Sequence, residues 1–151
     1  KPEETAAVLD ADGWMSTGDI GKLDENRRLE FVGRAKEILR VGGENVSPVE
    51  VEDYLHRHPK IRHAQVVGVP DARLVEVPAA IVVLNPGQSA EPEELLAWAK
   101  EQIAGFKAPR YLQIVSDFES IGMTASAKVK RKELAAYAIK AFGLEGVGKA
   151  G

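Results

Sequence analysis

The sequence predicts an α+β fold: a small domain with a short mixed or antiparallel sheet flanked by helices, preceded by a β-hairpin-rich stretch. Three observations predict it. Residues before about position 36 carry turn clusters and short β-prone runs but no helical periodicity. From there to about residue 142, runs of period two alternate with stripes of period 3.6, in the order β-α-β-β-α-β-α. The length of 151 residues suits one domain of ordinary size. The expected divisions are therefore 1–35, 36–142 and a glycine-rich tail, 143–151.

In chain order, Asp12-Gly13, Thr17-Gly18-Asp19 and Asp24-Glu25-Asn26 read as turns. Between and after them lie the β-prone runs Trp14-Met15-Ser16 and Leu29-Glu30-Phe31-Val32. Glu37-Ile38-Leu39-Arg40-Val41 ends at Gly42-Gly43, and a hairpin around Gly33-Arg34-Ala35-Lys36 would join these last two runs. Ser47 then offers an N-cap, Pro48 the first helical position and Glu50 the reciprocal capping-box acceptor. Val51, Tyr54, Leu55 and His58 form the apolar stripe of that helix, which ends before Pro59.

Ala64–Val69 and Ala79–Leu84 read as strands joined by a loop, Pro70–Pro78. Pro92 opens a second helix with Glu93 and Glu94 in its first turn and Leu95, Trp98, Ala99 and Gln102 or Ile103 facing inward. Tyr111–Val115 is a further strand. A polar loop, Ser116–Lys128, leads to a last helix near Arg131–Phe142 with Leu134, Tyr137, Ala138 and Ala141 as its stripe.

Composition excludes several classes. Twenty Lys and Arg against 23 Asp and Glu leave a net charge of −3, which argues against a basic nucleic-acid binder. The absence of cysteine removes disulfide, thiolate-metal and cysteine-nucleophile chemistry. No apolar run approaches the ~18–20 residues of a membrane span. The chain has no apolar leader, so a cytoplasmic location is expected, and it opens on Lys1 rather than Met, so a fragment is expected. His56 and His58 are two apart on a helix and face away from each other, so no metal site is expected from the histidines.

Four polar segments can carry chemistry. In Thr17-Gly18-Asp19 a carboxylate on a tight turn can accept from both hydroxyls of a ribose, or can simply close a hairpin. Arg34 and Lys36 flank one residue and can contact a ligand, or stand in solvent. Gly42-Gly43-Glu44-Asn45 lets a ligand approach the backbone ahead of a helix, or is a plain β-to-α turn. Gly122–Lys128 runs into a cationic stretch, Lys128, Lys130, Arg131 and Lys132, that can meet a phosphoryl group. A loop leading into a basic helix start reads the same way.

Together and in this order the segments resemble one family, the adenylate-forming enzymes, and within it the acyl-CoA synthetases. The resemblance rests on Gly13-Trp14-Met15-Ser16-Thr17-Gly18-Asp19, Gly33-Arg34-Ala35-Lys36-Glu37-Ile38, Gly42-Gly43-Glu44-Asn45-Val46-Ser47-Pro48-Val49-Glu50-Val51-Glu52, Val69-Pro70-Asp71, Phe106-Lys107-Ala108-Pro109-Arg110 and Lys128. It implies the end of a large N-terminal domain followed by a whole small C-terminal lid, with the acid pocket and ATP-phosphate loop outside the chain. It further implies that Asp19, Thr17 and Arg34 bind ATP, that Lys36 is the hinge, and that Gly42, Gly43 and Glu44 face CoA. Lys128 would be the catalytic lysine between substrate carboxylate and α-phosphate.

The implied activity is AMP-forming ligation of a carboxylic (fatty) acid to CoA, with ATP and Mg²⁺, the metal held mainly by the large domain. The implied partners are the acid, ATP, CoA and the large domain itself, with a homodimer left open. This fragment alone would be inactive. The alternatives are an aryl- or amino-acid adenylation enzyme loading a carrier protein, and a stand-alone binding or regulatory module. Three positions depart from the family pattern: Ala127 and Val75 stand where Gly is usual, and Gly122 where Pro is usual.

Overall fold

The computed structural model describes residues 1–122 and 129–148. They form two compact units, Lys1–Ile38 and Leu39–Gly151.

In the first unit, a short helix α1 (Pro2–Ala6) precedes an isolated bridge between Leu9 and Met15. Strands β1 (Asp19–Leu23) and β2 (Leu29–Arg34) then pair antiparallel, with a register shift at Ile20/Gly21. Asp24 closes their turn: its Oδ1 accepts the backbone N–H of Asn26 at 2.8 Å and of Arg28 at 2.7 Å. This is the Asx turn that aspartate favours. Asp19 thus opens a strand rather than ending a turn. The hairpin expected around residues 33–36 does not form. Ala35–Glu37 is a 3₁₀ turn that carries the chain onward, so β2 pairs back to β1 while β3 (Leu39–Val41) joins a different sheet.

In the second unit β3 and β4 (Glu44–Val46) form a tight antiparallel hairpin. Helix α2 (Pro48–Leu55) follows, capped by Ser47, whose Oγ accepts the Glu50 N–H at 3.3 Å. Strands β5 (Ile61–Asp71) and β6 (Val75–Leu84) pair along their whole length. The long loop expected between them is only three residues, because the Asp71 carboxylate folds the turn on itself, accepting from the N–H groups of Arg73 (2.9 Å) and Leu74 (2.8 Å). Helix α3 (Pro92–Gln102) leads to β7 (Tyr111–Ile114), which lies parallel to β6. A one-turn helix α4 (Glu119–Gly122) sits in the expected polar loop, and α5 (Arg131–Ala141) closes the fold.

The result is a mixed five-stranded sheet in which β6 is flanked by β5 on one side and by β3 and β7 on the other. Every residue from Val77 to Val83 is buried, as expected of a central strand covered on both faces. The helices close this core with Val51 and Leu55, Leu95 and Ala99, and Leu134 and Ala138, each pair one helical turn apart. Leu144, in the stretch read as a tail, is also buried in it. No helix among the described residues is long and apolar enough to cross a membrane.

Candidate functional site

Cross-strand register brings the first group together. Asp19 and Arg34 stand directly opposite each other on β1 and β2. The Arg34 Nε lies 3.2 Å from Asp19 Oδ1, and both side chains remain solvent-accessible. Thr17 Oγ1 accepts the Asp19 N–H at 3.1 Å, and the N–H of Ala35 donates to Gly18 O at 2.9 Å. Thr17, Asp19 and Arg34 therefore form one cluster within the first unit. A carboxylate held at the end of a strand, with a planar guanidinium beside it, offers acceptors to a vicinal diol and donors to its oxygens. Lys36 is exposed on the 3₁₀ turn, two residues before the unit ends.

The second group belongs to the other unit. Gly42 and Gly43 are the two central residues of the β3–β4 hairpin, with φ of +59° and +93°. Positive φ at both positions is what a type I′ turn demands and what glycine tolerates. The N–H of Gly42 donates to Leu74 O at 2.9 Å, so this hairpin is tied to the β5–β6 turn. A methyl on Gly42 would stand 2.8 Å from Leu74 Cδ2, whereas one on Gly43 would meet nothing within 4 Å. The Gly43 backbone is thus open to a ligand. Glu44 is exposed at the start of β4.

Two ion pairs frame this region. Arg110 holds Asp71 Oδ2 at 2.7 Å, and Lys107 grips Glu50 at 2.7 and 3.0 Å, fixing the Phe106–Arg110 segment to α2 and the turn. The Leu74 and Arg73 N–H groups, reinforced by Arg110, hold the Asp71 carboxyl below the usual range.

The third group surrounds the start of α5. Lys128 lies outside the described residues. Three positions on, the Arg131 guanidinium makes a bidentate pair with Glu52 at 2.9 and 3.3 Å and donates to Val66 O at 2.7 Å. Glu52 also accepts the Val66 N–H at 2.8 Å. Burial pushes the Glu52 carboxyl above its ordinary pKa, against the opposing pull of Arg131. Arg131 is therefore not one more loop cation facing phosphate; it ties α5 to α2 and β5. The run of charges hid this. Helical spacing could have shown it, because 52 falls on the same face as the buried 48, 51 and 55.

His56 and His58 serve structure. His56 Nε2 accepts the Ala64 N–H at 3.1 Å, and His58 Nδ1 accepts the Lys60 N–H at 3.2 Å while its ring meets Trp98 edge-on. Burial holds the pKa of His58 below its ordinary value. Among the described residues no three His, Asp or Glu converge to hold a metal ion.

Residues 50–128 match the model of the AMP-binding enzyme C-terminal domain. The chain is 39% identical over 134 residues to the mitochondrial medium-chain acyl-CoA ligase ACSF2 of Macaca fascicularis, covering 89% of this chain and 21% of that protein. The crystal structure of ATP-bound MatB from Rhodopseudomonas palustris superposes with a TM-score of 0.79 at 32% identity, over 90% of this chain and 26% of that one. The amide bond synthetase McbA from Marinactinospora thermotolerans superposes with a TM-score of 0.80 at 35% identity, over 90% of this chain and 27% of that one. The chain thus spans between about a fifth and a quarter of the length of the curated relatives it matches.

Proposed function

Because the chain belongs to the AMP-binding enzyme C-terminal domain family, we propose that it is the C-terminal part of an AMP-forming carboxylic acid–CoA ligase. The observation that carries this reading is the register pair Asp19–Arg34 with Thr17 bonded to it, a set of acceptors and donors that suits a ribose diol. In this proposal the substrate carboxylate attacks the α-phosphorus of ATP and pyrophosphate leaves. A thiol then attacks the acyl carbonyl and AMP leaves. Asp19 accepts the ribose hydroxyls and Arg34 donates to them. The Lys128 ammonium neutralises charge that builds on the α-phosphoryl oxygens, an interaction stronger in the transition state than in the ground state. Lys36 is the hinge between the two half-reactions, and the Gly42-Gly43 turn, open at Gly43, lines the path of CoA with Glu44. Any Mg²⁺ would be held mainly by the large domain, outside this chain, and would supply positive charge to the ATP phosphates. The chain alone is expected to turn over neither ATP nor acid.

Lys128→Ala in the full-length enzyme tests the assignment. Acid-dependent ATP–pyrophosphate exchange should fall by about 10²–10³-fold, while thioester formation from preformed acyl-adenylate and CoA should persist. Equal loss of both half-reactions would refute the role of Lys128. The likeness to McbA supports a second reading, in which the acyl group passes to an amine. Loading of a carrier protein is a third acceptor. Exchange without CoA thioester would favour either over the ligase.

A further inference from the structure

Val75 is a β-branched residue at φ +72°, and its side chain is 74% exposed. A branched side chain in the left-handed region is an outlier, and such outliers gather where function holds them. The tight turn that Asp71 closes accounts for a positive φ at its exit, but not for a valine there, since glycine would take this φ without strain.

Its surroundings give the outlier a direction. Val75 is the ladder partner of Val41, the residue just before Gly42-Gly43. Paired residues normally share a face of the sheet, yet Val41 is 3% exposed and Val75 74%. The left-handed backbone takes the Val75 side chain off the core face that Val41 occupies and sets it in solvent. Leu74, one residue back, receives the Gly42 N–H on its carbonyl and packs its side chain over Gly42. Gly43 is thus open, its neighbour Gly42 is covered by Leu74, and Val75 follows Leu74 with its side chain in solvent. A slender ligand with amide groups and an apolar stretch suits this surface, since amides pair with free backbone and methyl groups cover an exposed valine.

We propose that Val75 is a specificity-determining contact for the thiol co-substrate, covering the apolar part of the pantetheine arm of CoA beside Gly42-Gly43. This rests on the ligase reading above.

The experiment uses the full-length enzyme with Val75→Thr and Val75→Gly. Threonine keeps shape and backbone preference and changes only polarity. Glycine removes both side chain and strain. Each variant should raise the KM for CoA by roughly fivefold or more, with the rate of ATP–pyrophosphate exchange unchanged. A purely structural role predicts a higher melting temperature for Val75→Gly and an unchanged KM for CoA, and an unchanged KM in both variants overturns the proposal. If the wild-type enzyme forms no CoA thioester, the ligase reading falls and this contact falls with it; if it forms one and the variants match it, only the contact falls.

Discussion

Asp71 shows how much one carboxylate can organise. It accepts two backbone N–H groups and a guanidinium, and these donors hold its pKa below the ordinary value. The folded state therefore binds the Asp71 proton less readily than the unfolded chain. The resulting stability is complete above the unfolded pKa, about 3.8, and is lost as pH falls through the lower folded value. Asp71→Asn keeps the shape and removes the charge. The gap in urea midpoint between wild type and Asp71→Asn should be widest near neutral pH and should narrow under acid conditions. A gap that stays constant from neutral pH to about pH 3 would remove the electrostatic account. The sequence marks Asp71 through the phrase Val69-Pro70-Asp71, but its partner Arg110 lies 39 residues away and only the fold shows the pair. Glu52 and Arg131 repeat the point at 79 residues' separation.

At the scale of elements, local chemistry decides what can be read. Ser47, Pro48 and Glu50 state the start of α2 within four residues, and α2 begins where they say. Ser47→Ala should cost about 1 kcal/mol, measured as a shift in the denaturation midpoint with an unchanged slope. A shift indistinguishable from zero would mean that the Ser47 oxygen contributes nothing to the cap. Strand β4 is harder to see. Glu44, Asn45 and Val46 carry one buried residue between them, and the strand exists because the Gly42-Gly43 turn returns the chain onto β3. Strand β1 was hidden for a similar reason: all five of its residues are exposed, so no alternation of buried and free positions marks it. The loop foreseen between β5 and β6 shrank because a single aspartate side chain replaces several residues of backbone.

For the whole molecule, the two units differ in kind. Leu39–Gly151 has a core of its own, whereas Lys1–Ile38 leaves Trp14, Met15, Leu23, Leu29 and Phe31 each at least 55% exposed. The ordered phrases of the sequence identified the family and named Thr17, Asp19 and Arg34, but the meeting of Asp19 with Arg34 depends on a ladder register that composition does not encode. The long β5–β6 ladder also bears on how the second unit is born. Ten residue pairs close over a three-residue turn, so little chain entropy is lost before contacts form, and such hairpins assemble in ~1–10 μs. Strand β7 reaches its parallel place on β6 only after the chain has made α3 and come back. Val69→Ala and Val77→Ala, beside the turn, should therefore slow refolding nearly in proportion to the stability they remove, while Leu112→Ala on β7 should chiefly hasten unfolding. Stopped-flow chevrons that gave Leu112 the larger effect on the refolding arm would reverse this order. A hairpin that nucleates early is complete by residue 84, so during synthesis the central strand has its β5 edge covered before β7, which shares the opposite edge with β3, leaves the ribosome.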